Sequence, residues 1–199
     1  MTTISADAKG LLILVNPQNG IYREGALADP KAGEPHVPRL VGLVKLATGA
    51  GWHVALSLRM HDSTDDIIQT LTPHLLRGTT EPRLLDELRP LLKPLEEEGR
   101  VRIFEASTFD HAAYAQERSS NLCLREHAFN FDQVHVAGAW SSADLLYTVA
   151  GLRFHLGVDR QVVVWTEAAF GYDAESHDFA VRQMAVVLGA VLCDEKVPL

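Results

Sequence analysis

The feature that most constrains this chain is a recurring unit, a short unbroken apolar run followed by a longer segment with apolar residues at helical spacing. LLILV at 11–15 opens the series and meets the turn-forming NPQNG at 16–20. A strand that alternates apolar and polar residues can leave one face in water. Runs of Val, Ile and Leu without alternation need cover on both faces, which a parallel sheet flanked by helices supplies. Further runs at 53–58, 101–104, 133–137 and 161–166 read as strands, with 191–193 as a short edge strand. Helices are expected over 38–50, 81–95, 116–129, 141–156 and 174–188. Pro82 is tolerated near the start of its helix, and Pro90 is expected to end or kink it. The βαβαβ order predicts one doubly wound α/β domain over 1–199, with residues 23–37 as a long loop.

Composition narrows the function. With 199 residues the chain can bury a sizeable core, and 47% hydrophobic residues are ordinary for a globular protein. The net charge is -8, and no compensating lysine or arginine block exists. That argues against a nucleic-acid partner, and Trp52, Trp140 and Trp165 lack the basic neighbours of a base-stacking platform. Cys123 and Cys193 stand in no metal or redox spacing, and each adjoins a leucine, so both read as small buried apolar residues. MTTISADAKG has no signal pattern and no apolar run approaches membrane-spanning length. No membrane partner and a reduced, cytoplasmic setting are expected.

Doubly wound sheets bind ligands beyond the carboxyl ends of their strands. That rule selects Asn16, Arg59, Glu105 and the stretch from Gly138 to Asp144, each at or just past a predicted strand end. Within VAGAWSSADLL a strand runs through glycine and two serines into a helix whose first turn carries Asp144.

Four segments taken in order resemble the isochorismatase-like, or cysteine hydrolase, superfamily, which includes nicotinamidases, N-carbamoylsarcosine amidases and isochorismatases. LLILVNPQNGIYREGAL is similar to its opening strand and loop, and PHLLRGT at 73–79 to its Pro-x-His…Gly-Thr segment. VAGAWSSADLL is similar to its Gly-x-x-Thr-Asp-x-Cys-Val signature, and EAAFGYDAESHDFAVRQM to its tail. The resemblance covers about residues 10–195. It implies a three-layer α/β/α sandwich on a roughly six-stranded, mostly parallel sheet, commonly in a homo-oligomer. It also implies a catalytic aspartate, lysine and cysteine at positions that here hold Asn16, Glu105 and Asp144.

Those replacements remove the implied chemistry. A carboxylate is a far poorer nucleophile than a thiolate, and an amide side chain has no useful basicity. A carboxylate beside the implied oxyanion hole would repel the charge that must develop there. The isochorismatase branch lacks the cysteine and uses the first-strand aspartate as an acid; Trp140 resembles its aromatic, but Asn16 has no such proton. The metal site of nicotinamidases maps onto Arg59, His61 and His74, where a cation stands in place of an acid. No metal or other cofactor is expected: His61 reads as an exposed loop residue and His74 as a structural one.

Two readings of the site remain. In one, Asp144 pairs with Ser141 in a helix-capping box, gaining roughly 0.3–1 kcal/mol from the helix dipole, and Arg59 pairs with Glu105. The chain then keeps the fold without the triad and serves as a binding or regulatory protein or a diverged catalyst. In the other, Glu105 and Asp144 form an acid–base dyad that hydrolyses a small polar metabolite. Asn16 would orient that substrate, and Trp140, Ser141, Phe109 and Arg59 would line its pocket. A serine nucleophile at Ser141 or Ser142 with His135 or His155 lacks the elbow such chemistry needs. His177 reads as structural.

Overall fold

Seven strands form one sheet in the computed structural model, which describes residues 4–157 and 159–197. They are β1 (Gly10–Val15), β2 (His53–Arg59), β3 (Val101–Ala106), β4 (Gln116–Glu117), β5 (Gln133–Ala139), β6 (Val162–Phe170) and β7 (Val191–Cys193). Their spatial order is β4-β3-β2-β1-β5-β6-β7, and every pairing is parallel except that of β3 with β4. β1 lies between β2 and β5, and all six of its residues are buried. The unbroken apolar run in the sequence is this central position. The chain ends at 1–3 and 198–199, which the single-domain reading included, lie outside the described residues.

The helices are α1 (Asn19–Tyr22), α2 (Pro30–Gly33), α3 (Val37–Gly49), α4 (Asp66–Thr70), α5 (Arg89–Glu97), α6 (His111–Tyr114), α7 (Leu124–Ala128), α8 (Leu146–Leu156) and α9 (Ala174–Val186). α3 and α5 cover one face, where Leu40, Leu43 and Leu92 meet Leu12, Leu14 and Leu56. α6 to α9 cover the other, where Ala112, Leu124, Val149 and Met184 meet Leu11, Ile13 and Val15. A π-helical turn, Ser141–Leu145, leads into α8. The expected three-layer α/β sandwich is present, with seven strands rather than six.

Two expected helices differ. Residues 81–88 form turns about a single bridge of Leu84 to Gln18, because backbone bonds there go to the strap after β1. Leu85 N donates to Pro17 O and Asn19 N to Arg83 O, at 3.0 and 2.9 Å. Pro90 therefore lies in the first turn of α5 and starts a helix instead of ending one. Over 116–129, Gln116 and Glu117 pair with Glu105 and Phe104 as an antiparallel edge, and only Leu124–Ala128 is helical. Ser119, Ser120 and Asn121 favour turns by bonding locally, and Ser120 Oγ donates to Glu117 Oε2 at 2.6 Å. The loop expected at 23–37 contains α2 and a 3₁₀ turn, Glu34–His36.

Candidate functional site

β1 is followed directly by a residue with left-handed backbone, Asn16, at φ 52°. Asparagine tolerates this region better than most side chains. Asn16 N donates to Ser57 O at 2.8 Å, and its Oδ1 accepts from Arg59 N at 3.0 Å. Gln18 completes the clamp: Oε1 accepts from the same Arg59 N–H at 2.9 Å, and Nε2 donates to Arg59 O at 2.8 Å. The end of β2 is thereby fixed by two side chains of the β1 strap.

Arg59 is 1% exposed, and its guanidinium lies 4.2 Å from the ring centroid of Phe109. Its Nη2 is 2.9 Å from Asp144 Oδ1, off the hydrogen-bond direction, so the contact is one of charge. Asp144 has no exposed surface, and the same Oδ1 is 3.1 Å from His111 Nε2. A carboxylate only accepts, so Nε2 carries the proton. Nδ1 is hydrogen-bonded to the Ser57 hydroxyl at 2.7 Å. Arg59, Asp144, His111 and Ser57 form one buried chain of charge contacts and hydrogen bonds across β2, α6 and the π turn. Asn16 Nδ2, Arg59 Nε and Asp144 Oδ2 are buried there without a protein partner.

This arrangement corrects the capping reading of Asp144. The π turn has no side-chain cap, and the Asp144 carboxylate faces the sheet instead of Ser141. Ser141 Oγ instead lies 3.0 Å from His177 Nδ1. Burial holds that imidazole below its usual pKa, against the pull of Asp178. His177 lines a cleft of about 300 Å³ with His36, Glu167 and Phe170. The histidines considered for Ser141 are engaged elsewhere: Trp165 Nε1 donates to His135 Nδ1 at 3.0 Å, and His155 packs on Phe129.

Glu105 joins neither Arg59 nor Asp144. Its neighbours Phe104 and Ala106 pack on the α6–α8 face, and strand alternation points Glu105 to the other side. There it accepts from Arg77 Nη2 at 3.1 Å and from Arg118 Nε. The β3 residue paired with Arg59, on the α6–α8 face, is Ala106. Both the expected Arg59–Glu105 pair and the expected Glu105–Asp144 dyad are therefore absent.

Two aromatics flank the cluster. Trp140 stacks on Tyr172 with centroids 4.6 Å apart. Burial, and to a lesser degree the Asp144 charge, push the Tyr172 phenol up to about 12. Tyr172 is nonetheless half-exposed. Phe109 covers Arg59 and also approaches Tyr147.

His61 is buried, not the exposed loop residue expected, and faces His74 with ring centroids 4.8 Å apart. Their Nδ1 atoms lie 3.2 Å from Asp65 Oδ2 and 2.7 Å from Thr72 O, leaving both Nε2 atoms without a protein partner. Desolvation, then His74 and Arg59, hold the His61 pKa low against the hydrogen bond it donates to Asp65. A divalent ion there would have two imidazole donors and the Arg59 guanidinium as neighbour. Among the described residues no three His, Cys, Asp or Glu side chains group to hold a metal. The donor set does not fit the family's metal.

Sequence reasoning found Arg59, Asp144 and Asn16 through the strand-end rule. It missed Gln18, Ser57, His111 and Tyr172. Ser57 and His111 are single polar residues in apolar surroundings, and only packing brings them together.

The fold and cluster define a class: a three-layer α/β protein with polar side chains gathered where the chain reverses direction across the sheet, at β2, β1 and β5. A family model, the isochorismatase domain, matches residues 10–196, and the chain belongs to the isochorismatase family. Among solved structures it is similar to a nicotinamidase from Bacillus subtilis, with TM-score 0.79 and 22% identity over 94% of this chain and 99% of that one. An N-carbamoylsarcosine amidase from Thermoplasma acidophilum gives 0.73 and 20% over 96% and 99%. A pyrazinamidase from Pyrococcus horikoshii, solved in complex with zinc, gives 0.68 and 14% over 94% and 99%. At these identities the likeness is one of fold. Comparison with curated proteins gave no match.

Proposed function

We propose that this chain is a family member without thiol-dependent acyl transfer, and that its strand-end cluster binds a small polar molecule. One observation carries the reading: the Asp144 carboxylate, at the position the resemblance assigns to the attacking cysteine, is buried and held by Arg59 and His111. A carboxylate neutralised by a guanidinium is a still weaker nucleophile and base than a free one. Ala106, on the site's side of β3, offers no charge to activate anything. The unpartnered donors and acceptor on Asn16, Arg59 and Asp144 support recognition of a ligand with both kinds of polar group, with Trp140 and Phe109 as apolar walls.

Incubation with nicotinamide, N-carbamoylsarcosine and isochorismate is expected to give no product above a protein-free blank. Turnover that survives thiol alkylation but is lost in Asp144→Asn would overturn this reading. It would favour the alternative, an acid–base hydrolase. The Ser57–His111–Asp144 series gives that alternative its footing, with His111 as the partner of Asp144 in place of Glu105. In that case His111→Asn would abolish activity as well, and Glu105→Gln would not.

A further inference from the structure

On the sheet face opposite Asp144 a cleft of about 620 Å³ opens between α5, the segment 77–84 and strands β2 and β3. Its floor is apolar: Leu56, Leu58 and Met60 from β2 and its end, and Ile103 from β3. Its rim is basic. Arg89 and Lys93 stand one turn apart on α5, Arg83 comes from the turn segment before it, and Arg77 and Arg118 flank Glu105.

The pairing of these cations is uneven. Arg89 is matched by Asp86, while Arg77 and Arg118 share Glu105, with Asp62 also on Arg77. Arg83 and Lys93 have no side-chain hydrogen bond or ion pair among the described residues, and the one carboxylate lining the cleft, Glu96, takes neither. The chain has 26 acidic and 18 basic residues, so carboxylates are in surplus elsewhere. Two cations unmatched above an apolar floor form a surface complementary to a molecule with one negative charge and a flat apolar body.

We infer that this cleft is a binding site for a small amphipathic anion, an aryl or short acyl carboxylate or its sulfonate counterpart, with its apolar part on Leu58, Met60 and Ile103 and its charge between Arg83 and Lys93. The volume suits one small molecule. The site is independent of the strand-end cluster, from which the sheet separates it.

The full chain titrated calorimetrically with 2-naphthoate at low salt, with amide NMR shifts followed in parallel, tests the inference. Saturation is expected, with shifts concentrated in 77–84 and 89–96. Neutral 2-naphthamide is expected to bind at least about fivefold more weakly, as is 2-naphthoate to an R83E/K93E variant, since each exposed charge pair contributes roughly twofold to fivefold. Both positions are exposed, so the variant is expected to keep the parent's urea midpoint. Absence of saturation, equal affinity for the amide, or shifts confined to the strand-end cluster would overturn the inference. A change in the sedimentation of the ligand-free chain on R83E/K93E would also overturn it, by making the cleft a contact between copies.

Discussion

Asp144 and Arg59 are both buried, so the charge of either is tolerable only beside the other. Asp144→Asn is expected to cost about 3–5 kcal/mol, because it strands a buried guanidinium; urea unfolding measures it. Exposed pairs such as Arg77–Asp62 should cost under about 1 kcal/mol on the same scale. Two buried histidines make stability depend on acid. Desolvation lowers His127 and His135 from 6.5 to about 4. Both are neutral in the folded chain and take up protons near 6.5 when it unfolds. Their contribution is complete above that pH and lost as pH falls towards 4. The urea midpoint should therefore drop between pH 6.5 and 4.5, and less steeply in His135→Asn. At this level the sequence was read partly right. Strand ends located Asn16, Arg59 and Asp144, but the partners of a buried carboxylate depend on which way strands and helices face. Glu105 was misjudged because it is one residue out of phase with Ala106, and in a strand one residue is the other side of the sheet.

The junction between β5 and the π turn rests on Gly138. Its φ is 120°, and a Cβ there would lie 2.1 Å from Val15 O on the adjacent strand. Gly138→Ala must therefore push β5 away from β1 just where Asn16 and Asp144 are positioned. A loss of more than about 3 kcal/mol, or failure to accumulate folded protein, is expected. Gly49→Ala, where nothing lies within 4 Å, is the control and should be near neutral. The parallel strands were legible because covering both faces demands unbroken Val, Ile and Leu. α5 and β4 were not, since local periodicity cannot register that Leu85 bonds to Pro17 or that Glu117 pairs with Arg102 across the sheet edge. Tertiary bonds there override helical propensity.

Assembly is the molecule-wide expectation the resemblance raised. Tyr147 and Phe154 on α8, and Phe179 and Val186 on α9, are each at least half exposed, and Arg153 Nε on α8 donates to Leu188 O, just past the end of α9, at 2.8 Å. Large apolar side chains on neighbouring helices favour burial against a second copy. Light scattering is expected to give more than one chain per particle, and Phe154→Glu with Val186→Glu to give one. No helix of the described residues is long and apolar enough to cross a membrane.

The buried pair of Arg59 and Asp144 underlies the reading of the whole protein, and a double-mutant cycle addresses it directly. Arg59→Met, Asp144→Leu and the double variant are compared with the parent by urea unfolding. The account predicts two costly single changes and a double variant within about 1 kcal/mol of the parent, a coupling of at least about 2 kcal/mol. Single effects that simply add, to within about 0.5 kcal/mol, would contradict it.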